Sequence, residues 1–315
     1  MAPATRFTEL TGCRVPVQQA PMGSVATAAL AVAVAEAGGV GSIATLGMTP
    51  ADVDRVLAGM TARTTGILAA NFLTGKIDPE AVAAAAARVR IVDFFWADPD
   101  PALVEVAHRG GALACWQVGS LEEARAAAEA GCDVVVVQGT EAGGHIRGRS
   151  PLRPLLDSVL GRLEVPVLAA GGIGDGRAFA AALAAGADGV RAGTRFVAAS
   201  ESGAHPEYKQ AVVDAAAGST EITGAFPVCP LCATVPRARV LRSCVSALAG
   251  LDGDVVGETT AGGRRIAVPR GHGSPPGRAA TGHIEAMPMY AGESAARISA
   301  VEPAAQIIRS WEAAA

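Results

Sequence analysis

Short β-like runs and Ala-rich helical stretches alternate along this chain from near residue 15 to near residue 200, and no other feature constrains the fold as much. The runs read as strands at Val15–Gln19, Val40–Ile43, Gly66–Asn71, Ile91–Phe95, Ala112–Gln117, Asp133–Val137, Val167–Ala170 and Gly189–Ala192. Between them, Ala26–Ala37, Thr49–Ala58, Pro79–Val89, Pro101–Arg109, Leu121–Ala130, Leu155–Leu163 and Arg177–Ala185 carry helical patterns. Thr49-Pro50 and Asp78-Pro79 place proline in the first turn, and Ser120 precedes Glu122 and Glu123, as helix starts require. Gly38, Gly110, Gly131 and Gly186 follow helical stretches where a left-handed cap fits. Nearly continuous apolar strands alternating with helices predict a parallel sheet covered by helices, and eight strands is the count that closes a (β/α)8 TIM barrel. A doubly wound sheet is the competing arrangement.

The alternation fails after about residue 203. Helical patterns at Tyr208–Ala216 and Val240–Ala249, and a Gly/Pro/Arg-rich loop over 262–282, predict a smaller helical subdomain covering one mouth of the barrel. Ala295–Ala315 reads as helix again, with Ile307, Ile308 and Trp311 on one side. The expected division is thus a barrel over 1–203, a helical and loop subdomain over 204–291, and a terminal helix over 292–315 packed on the barrel.

Composition narrows the class. Twenty-six basic against 30 acidic residues, a net charge of -4 and no basic block argue against nucleic acid or an anionic membrane as partner. Half of the residues are hydrophobic, which excludes disorder. The opening Met1–Glu9 has no apolar run of signal-peptide type, and the longest apolar stretch, Val25–Ala35, is shorter than the roughly 20 residues of a membrane span. Six cysteines are too sparse for a disulfide scaffold, so a soluble protein of a reducing cytoplasm is expected.

Two Gly-rich turns follow the seventh and eighth strands: Ala170-Gly171-Gly172-Ile173-Gly174-Asp175-Gly176 and Arg191-Ala192-Gly193-Thr194-Arg195. Glycine lets a backbone approach a phosphate closely, and barrels of this type place a phosphate site at these two loops. Thr194 adds a hydroxyl. A tight barrel turn with no ligand is the plainer interpretation of either turn alone. After the sixth strand stands Gln138-Gly139-Thr140-Glu141-Ala142-Gly143-Gly144-His145, at the barrel end where active sites form. His145 suits a base near neutral pH, with glycines leaving room for a flat ring; Glu141 reads as a helix-start carboxylate. His108 reads as a surface residue at a helix end, His205-Pro206 as a turn, and His272 and His283 as loop residues. Cys229-Pro-Leu-Cys232 lacks a second ligand pair at zinc-site spacing, so no metal site is expected.

These residues also carry a resemblance. Gln19-Ala-Pro-Met-Gly23, Ala35-Glu-Ala-Gly-Gly-Val-Gly-Ser42, Asn71-Phe72, Gln138–His145, Ala169–Gly176, Gly193-Thr-Arg-Phe196 and the late Met289-Tyr-Ala-Gly-Glu293 resemble, in order, the motifs of nitronate monooxygenases, formerly 2-nitropropane dioxygenases, of the FMN-dependent TIM-barrel superfamily. The resemblance implies that Ala20, Pro21, Met22 and Gly23 line the flavin ring, that Asn71 and Gln138 hydrogen-bond it, and that Gly143 and Gly144 pass close to it. It implies a phosphate held by Gly171, Gly172 and the run Arg191, Ala192, Gly193, Thr194. His145 corresponds to the family's base, which removes the α-proton of a nitroalkane or orients a nitronate. FMN and O2 then complete an oxidation to a carbonyl compound and nitrite. A small-molecule substrate and a homo-oligomer are the implied partners.

The chain departs from the family at Gly23-Ser-Val-Ala-Thr27-Ala28, in the short segment between Asn71 and Phe94, at Arg191 where a neutral residue is usual, and at Phe94-Phe95-Trp96-Ala97. The related FMN-dependent enoyl-acyl-carrier-protein reductases share the Glu-Ala-Gly-Gly-His run, and NAD(P)H:quinone reductases are further relatives. A barrel that binds FMN or a sugar phosphate without redox chemistry is the alternative from another class.

Overall fold

The computed structural model describes residues 3–73, 77–228, 237–261 and 263–315. The first nine strands are β1 (Val17–Gln19), β2 (Val40–Ala44), β3 (Ile67–Leu73), β4 (Ile91–Phe95), β5 (Leu113–Val118), β6 (Val134–Gln138), β7 (Gly144–His145), β8 (Val167–Ala170) and β9 (Gly189–Ala192). All but β7 form a closed barrel in the order β1-β2-β3-β4-β5-β6-β8-β9, every pair parallel, with β9 returning to β1. The eight strands expected from the sequence are these eight, with ends shifted by a residue or two. The fold is a TIM barrel.

The period of two in each strand separates two environments. Ile43, Leu68, Ala70, Phe72, Val92, Phe94, Ala114, Trp116, Val135, Val137, Val167, Ala169 and Val190 face outward into the layer shared with the helices. Phe94 stacks on Trp116 there at 4.6 Å between centroids. Their neighbours Val40, Ala69, Ile91, Leu113, Val134, Val136 and Leu168 form a separate inner cluster together with Phe7. Phe7 is fully buried and belongs to a short helix, Arg6–Thr11, that closes the N-terminal end of the barrel. Arg6 fixes that helix with hydrogen bonds of 2.8 and 2.7 Å to the Asp188 carboxylate.

The expected helix starts form as read: the side chains of Thr49, Asp78 and Ser120 accept from Asp52, Glu80 and Glu123 amides. One cap differs. The helix Pro101–Arg109 keeps Gly110 right-handed (φ −80°), and Gly111 makes the left-handed turn (φ 86°). Gly110 has another constraint, since a Cβ there would stand 2.3 Å from Ala86 Cβ.

Beyond the barrel the architecture is not simply helical. β10 (Thr220–Thr223), β11 (Ala238–Leu241) and β7 form one three-stranded sheet, and β12 (Val255–Ala261), β13 (Arg264–Pro269) and β14 (Thr281–Gly282) form another. Part of the segment expected as a loop over 262–282 is therefore an antiparallel hairpin. Val255, Val256, Thr259 and Thr260 on one strand and Ile266 and Val268 on the other suit a pleated surface, which Gly/Pro content concealed. The helices are Pro206–Val213 and Arg242–Gly250. The terminal segment is broken: a 3-10 turn at Glu293–Arg297 precedes Ala304–Ala314, which starts after Pro303. Ile307, Ile308 and Trp311 are buried as expected, with Trp311 stacked on Phe179 at 5.7 Å. Cys229 and Cys232 lie outside the described residues. Among the described residues no helix is long and apolar enough to cross a membrane.

Candidate active site

A cavity of about 680 Å³ opens at the C-terminal ends of the barrel strands, within the ordinary range for small-molecule sites. Ala20, Pro21, Met22, Gly23, Asn71, Gln138, Gly143, Gly144, His145, Gly171, Gly172, Arg191, Ala192, Gly193 and Thr194 all line it. The turns come together because parallel strands deliver every β-to-α loop to the same end. Ala20 extends the β1–β9 pairing with an N–H bond of 2.8 Å to Ala192 O, so Ala20–Gly23 leaves the barrel along the cavity wall.

His145 sits on β7, outside the barrel sheet. β7 pairs with β11, opposing His145 to Ala238 and Gly144 to Arg239. Its ring lies edge-on to Trp96 at 5.7 Å and tilted against Tyr290 at 5.6 Å. Burial holds its pKa below the ordinary 6.5, so the imidazole is neutral at pH 7. Tyr290 is fixed by its hydroxyl, which donates to Gly273 O at 2.6 Å. Trp96 has a positive φ of 77°, and among the described non-glycine residues it alone does. Arg147 reaches across to the Trp96 carbonyl, and it also pairs with Glu123 (2.7 Å) and Asp98 (2.5 Å). The strained β4 terminus and the loop carrying His145 are thereby tied to one guanidinium.

Four expected residues play roles the sequence did not show. The Gln138 amide donates to His145 O (3.0 Å) and accepts from Arg147 N–H (3.3 Å), so it first supports the loop, keeping one N–H and one lone pair for a ligand. Gly143 is required by the chain behind it, because a Cβ there would stand 2.5 Å from Gly292 N and 2.7 Å from Ala291 C. Thr194 Oγ1 accepts the Gly292 N–H at 2.9 Å, which leaves its own hydroxyl proton to donate. The Arg191 guanidinium does not turn outward. Its β9 position points into the barrel, where Nη2 meets Asp93 Oδ1 at 2.7 Å and Nη1 meets Gln117 Oε1 at 2.8 Å. Gln18 Oε1 completes the shell at 3.0 Å, and the side chains of Arg191 and Asp93 are 2% and 0% exposed. Most of its N–H groups are thereby engaged within the barrel.

The two Gly-rich turns stand side by side on the cavity wall. Gly171 and Gly172 both have positive φ, 118° and 70°, a sequence of conformations that β-carbon-bearing residues avoid. At the start of the following helix, Asp175 Oδ1 caps one amide, taking the Ala178 N–H at 2.7 Å. Glu141 caps as expected, accepting the Leu152 N–H at 2.8 and 3.0 Å. His108 pairs with Asp133 at 2.8 Å near the surface, and His205 Nδ1 caps its own helix by accepting the Glu207 N–H.

Asp93, Gln18 and Gln117 were missed by sequence reading. The available signal was a polar residue at an inward position of an otherwise apolar strand, most visibly in Ile91-Val-Asp-Phe-Phe. Asp93 also receives Asn71, whose Nδ2 donates to Asp93 Oδ2 at 2.7 Å and lies 3.3 Å from Asp93 O. That orients the amide and leaves Asn71 Oδ1 without a partner, the sole such buried side-chain N or O among the described residues. No group of three or more His, Cys, Asp or Glu in metal-binding arrangement occurs among the described residues.

Comparison with known proteins agrees with this geometry. The family model for nitronate monooxygenase matches residues 4–79 and 67–312. A nitronate monooxygenase of Pseudomonas aeruginosa is 36% identical over 269 residues, covering 69% of this chain and 76% of that protein. A (3aS,4S,5R,7aS)-5-hydroxy-7a-methyl-1-oxo-octahydro-1H-indene-4-carboxyl-CoA dehydrogenase of Rhodococcus jostii is 38% identical over 63% of this chain, a match that spans 56% of the relative's length. Among solved structures, FabK from Thermotoga maritima aligns with TM-score 0.79 and 29% identity, over 98% of this chain and 95% of that one. Nitroalkane oxidase from Streptomyces ansochromogenes aligns with TM-score 0.76 and 28% identity, over 98% and 97%. The chain is an oxidoreductase and belongs to the nitronate monooxygenase family.

Proposed function

We propose that this protein is an FMN-dependent monooxygenase that oxidises alkyl nitronates, and nitroalkanes after deprotonation, with O2 to a carbonyl compound and nitrite. The observation that carries the proposal is His145: an imidazole on the cavity wall, packed against Trp96 and Tyr290, where burial favours its neutral form. A neutral imidazole takes a proton from carbon, whereas an imidazolium does not.

The residues present fit FMN. Asn71 Oδ1 is a buried acceptor lacking a donor, and an oxidised flavin ring carries one N–H. Gly171, Gly172, Gly193 and Thr194 would hold the phosphate, and Ala20–Gly23 would lie along the ring. When bound, FMN supplies the electron acceptor and the route to oxygen.

The chain's own residues do the rest. His145 removes the α-proton of a neutral nitroalkane. A nitronate already lacks that proton and needs only orientation. Among the described residues the cavity lining contains no Asp or Glu, so an anionic substrate meets no opposing carboxylate there. Phe95 and Tyr290 present apolar surface to the cavity that would shield the reacting carbon from water, and Trp96 packs against Phe95 and His145.

The test is anaerobic. Purified protein should show a flavin spectrum that changes on addition of propyl-2-nitronate and not on addition of NADPH. A second function, reduction of an acyl thioester by NAD(P)H, is favoured by the similarity to FabK and by the carboxyl-CoA dehydrogenase name of the R. jostii relative. Bleaching by NADPH alone would favour the reductase side over the monooxygenase, and protein without flavin would refute both.

A further inference from the structure

We propose that Asp93 is a positioning residue that decides which end of the Asn71 amide is presented to the cofactor, with Arg191 as the counter-ion that keeps Asp93 an acceptor on both oxygens. The proposal rests on FMN binding in this cavity. Asp93 Oδ1 takes Arg191 Nη2 at 2.7 Å and Oδ2 takes Asn71 Nδ2 at 2.7 Å. An ionised carboxylate accepts at both oxygens and donates at neither, so Asn71 can meet it only with its NH2 group. The amide is planar, and its oxygen is therefore the end left over. Asn71 lines the cavity, is 1% exposed and leaves that oxygen unpartnered. An unmatched acceptor in such a place is costly until a ligand N–H reaches it.

The donor–acceptor order along the chain Arg191, Asp93, Asn71 is thus a relay of polarity. It starts at a guanidinium that can only donate and ends at an oxygen that can only accept. Changing Asp93 to Asn breaks the relay. Arg191 still demands an oxygen at position 93, which turns the new NH2 towards Asn71. Two NH2 groups then face each other unless Asn71 turns over, and turning over aims a donor at the flavin N–H. Exchanging the two residues, Asp93→Asn with Asn71→Asp, restores the order. Arg191 then donates to the amide oxygen at position 93, and the NH2 of that amide donates to the carboxylate at position 71. The second oxygen of that carboxylate is again an acceptor facing the cofactor. The net charge of the layer is unchanged by the exchange.

The experiment measures binding to flavin-free protein of FMN and of N3-methyl-FMN, which lacks the ring N–H, with circular dichroism as the folding control. Wild type should prefer FMN by about tenfold, the scale of one buried hydrogen bond. Asp93→Asn should bind FMN about tenfold more weakly and lose the preference. The exchange variant should regain it. A role of Asp93 limited to the stability of the barrel would not alter the preference between the two ligands. Equal affinity of wild type for both ligands, a preserved preference in Asp93→Asn, or a folded exchange variant without preference would each overturn the proposal. Failure of both variants to fold would also overturn it, by making the pair a requirement of folding. Wild type that binds neither ligand would instead refute the FMN assignment itself.

Discussion

Replacing Arg191 by Met tests whether the polar layer below the cavity is dry. The substitution keeps an unbranched side chain of similar reach and removes the guanidinium. Asp93 retains Asn71 on Oδ2 and loses its partner on Oδ1, while Gln18 Oε1 and Gln117 Oε1 lose theirs. Breaking a buried ion pair by removing one partner costs about 3–5 kcal/mol. The two amide oxygens add little if the glutamines turn, so the expected loss is about 4 kcal/mol, a large share of the 5–15 kcal/mol typical of a folded domain. Arg191→Lys keeps the charge but not the fork that serves Asp93, Gln18 and Gln117 together, and should lose about half as much. Urea unfolding followed by the fluorescence of Trp96, Trp116 and Trp311 reads both variants against wild type. A loss below about 1 kcal/mol in Arg191→Met would mean that water reaches Asp93, and would refute the dry layer.

His145→Ala should retain flavin and lose most turnover of neutral nitroalkane, while oxidation of preformed nitronate falls less; equal loss on both substrates would remove proton abstraction from its role. In wild type, kcat/KM for neutral nitroalkane should fall as pH drops through a His145 pKa below 6.5, because the imidazolium cannot accept the proton. A pH profile that stays flat there points to another base. Phe7→Ala should cost about 3–5 kcal/mol in urea unfolding, since Phe7 is fully buried at the closed end of the barrel. A cost near zero would show that the Arg6–Thr11 helix does not seal the core. Gly172→Asp combines a left-handed residue (φ 70°) with a carboxylate at the expected phosphate wall, and should yield protein purified without flavin. Full flavin occupancy in that variant would refute the phosphate assignment.

The barrel was legible because its evidence is local. Each strand and helix declares itself through periodicity, through starts such as Thr49-Pro50 and Ser120, and through the Gly that ends a helix. A parallel sheet then admits few closures. The cavity lining was legible for a related reason: strand ends in a barrel converge, so Gly171, Gly193 and His145 share one mouth however far apart they stand in sequence. The hairpin around Arg264 was not legible, because its Gly and Pro content resembles loop and its pairing is specified only by partners such as Glu258 and Thr260.

What the sequence alone determined is therefore the list of barrel strands and helices, their order and the residues delivered to the C-terminal mouth. What tertiary structure decided is what each polar atom meets there. The Arg191 side chain is aimed by β9 at Asp93, a residue 98 positions away. Gly143, which lines the cavity, is also required by the backbone of Ala291 and Gly292 behind it. Gln138 proved to hold the loop of His145 from below, and Asn71 owes its orientation to Asp93. Periodicity records which side of a strand is dry, but hydrogen-bond partners are set by distances of about 3 Å between segments far apart in the chain, which no local pattern encodes.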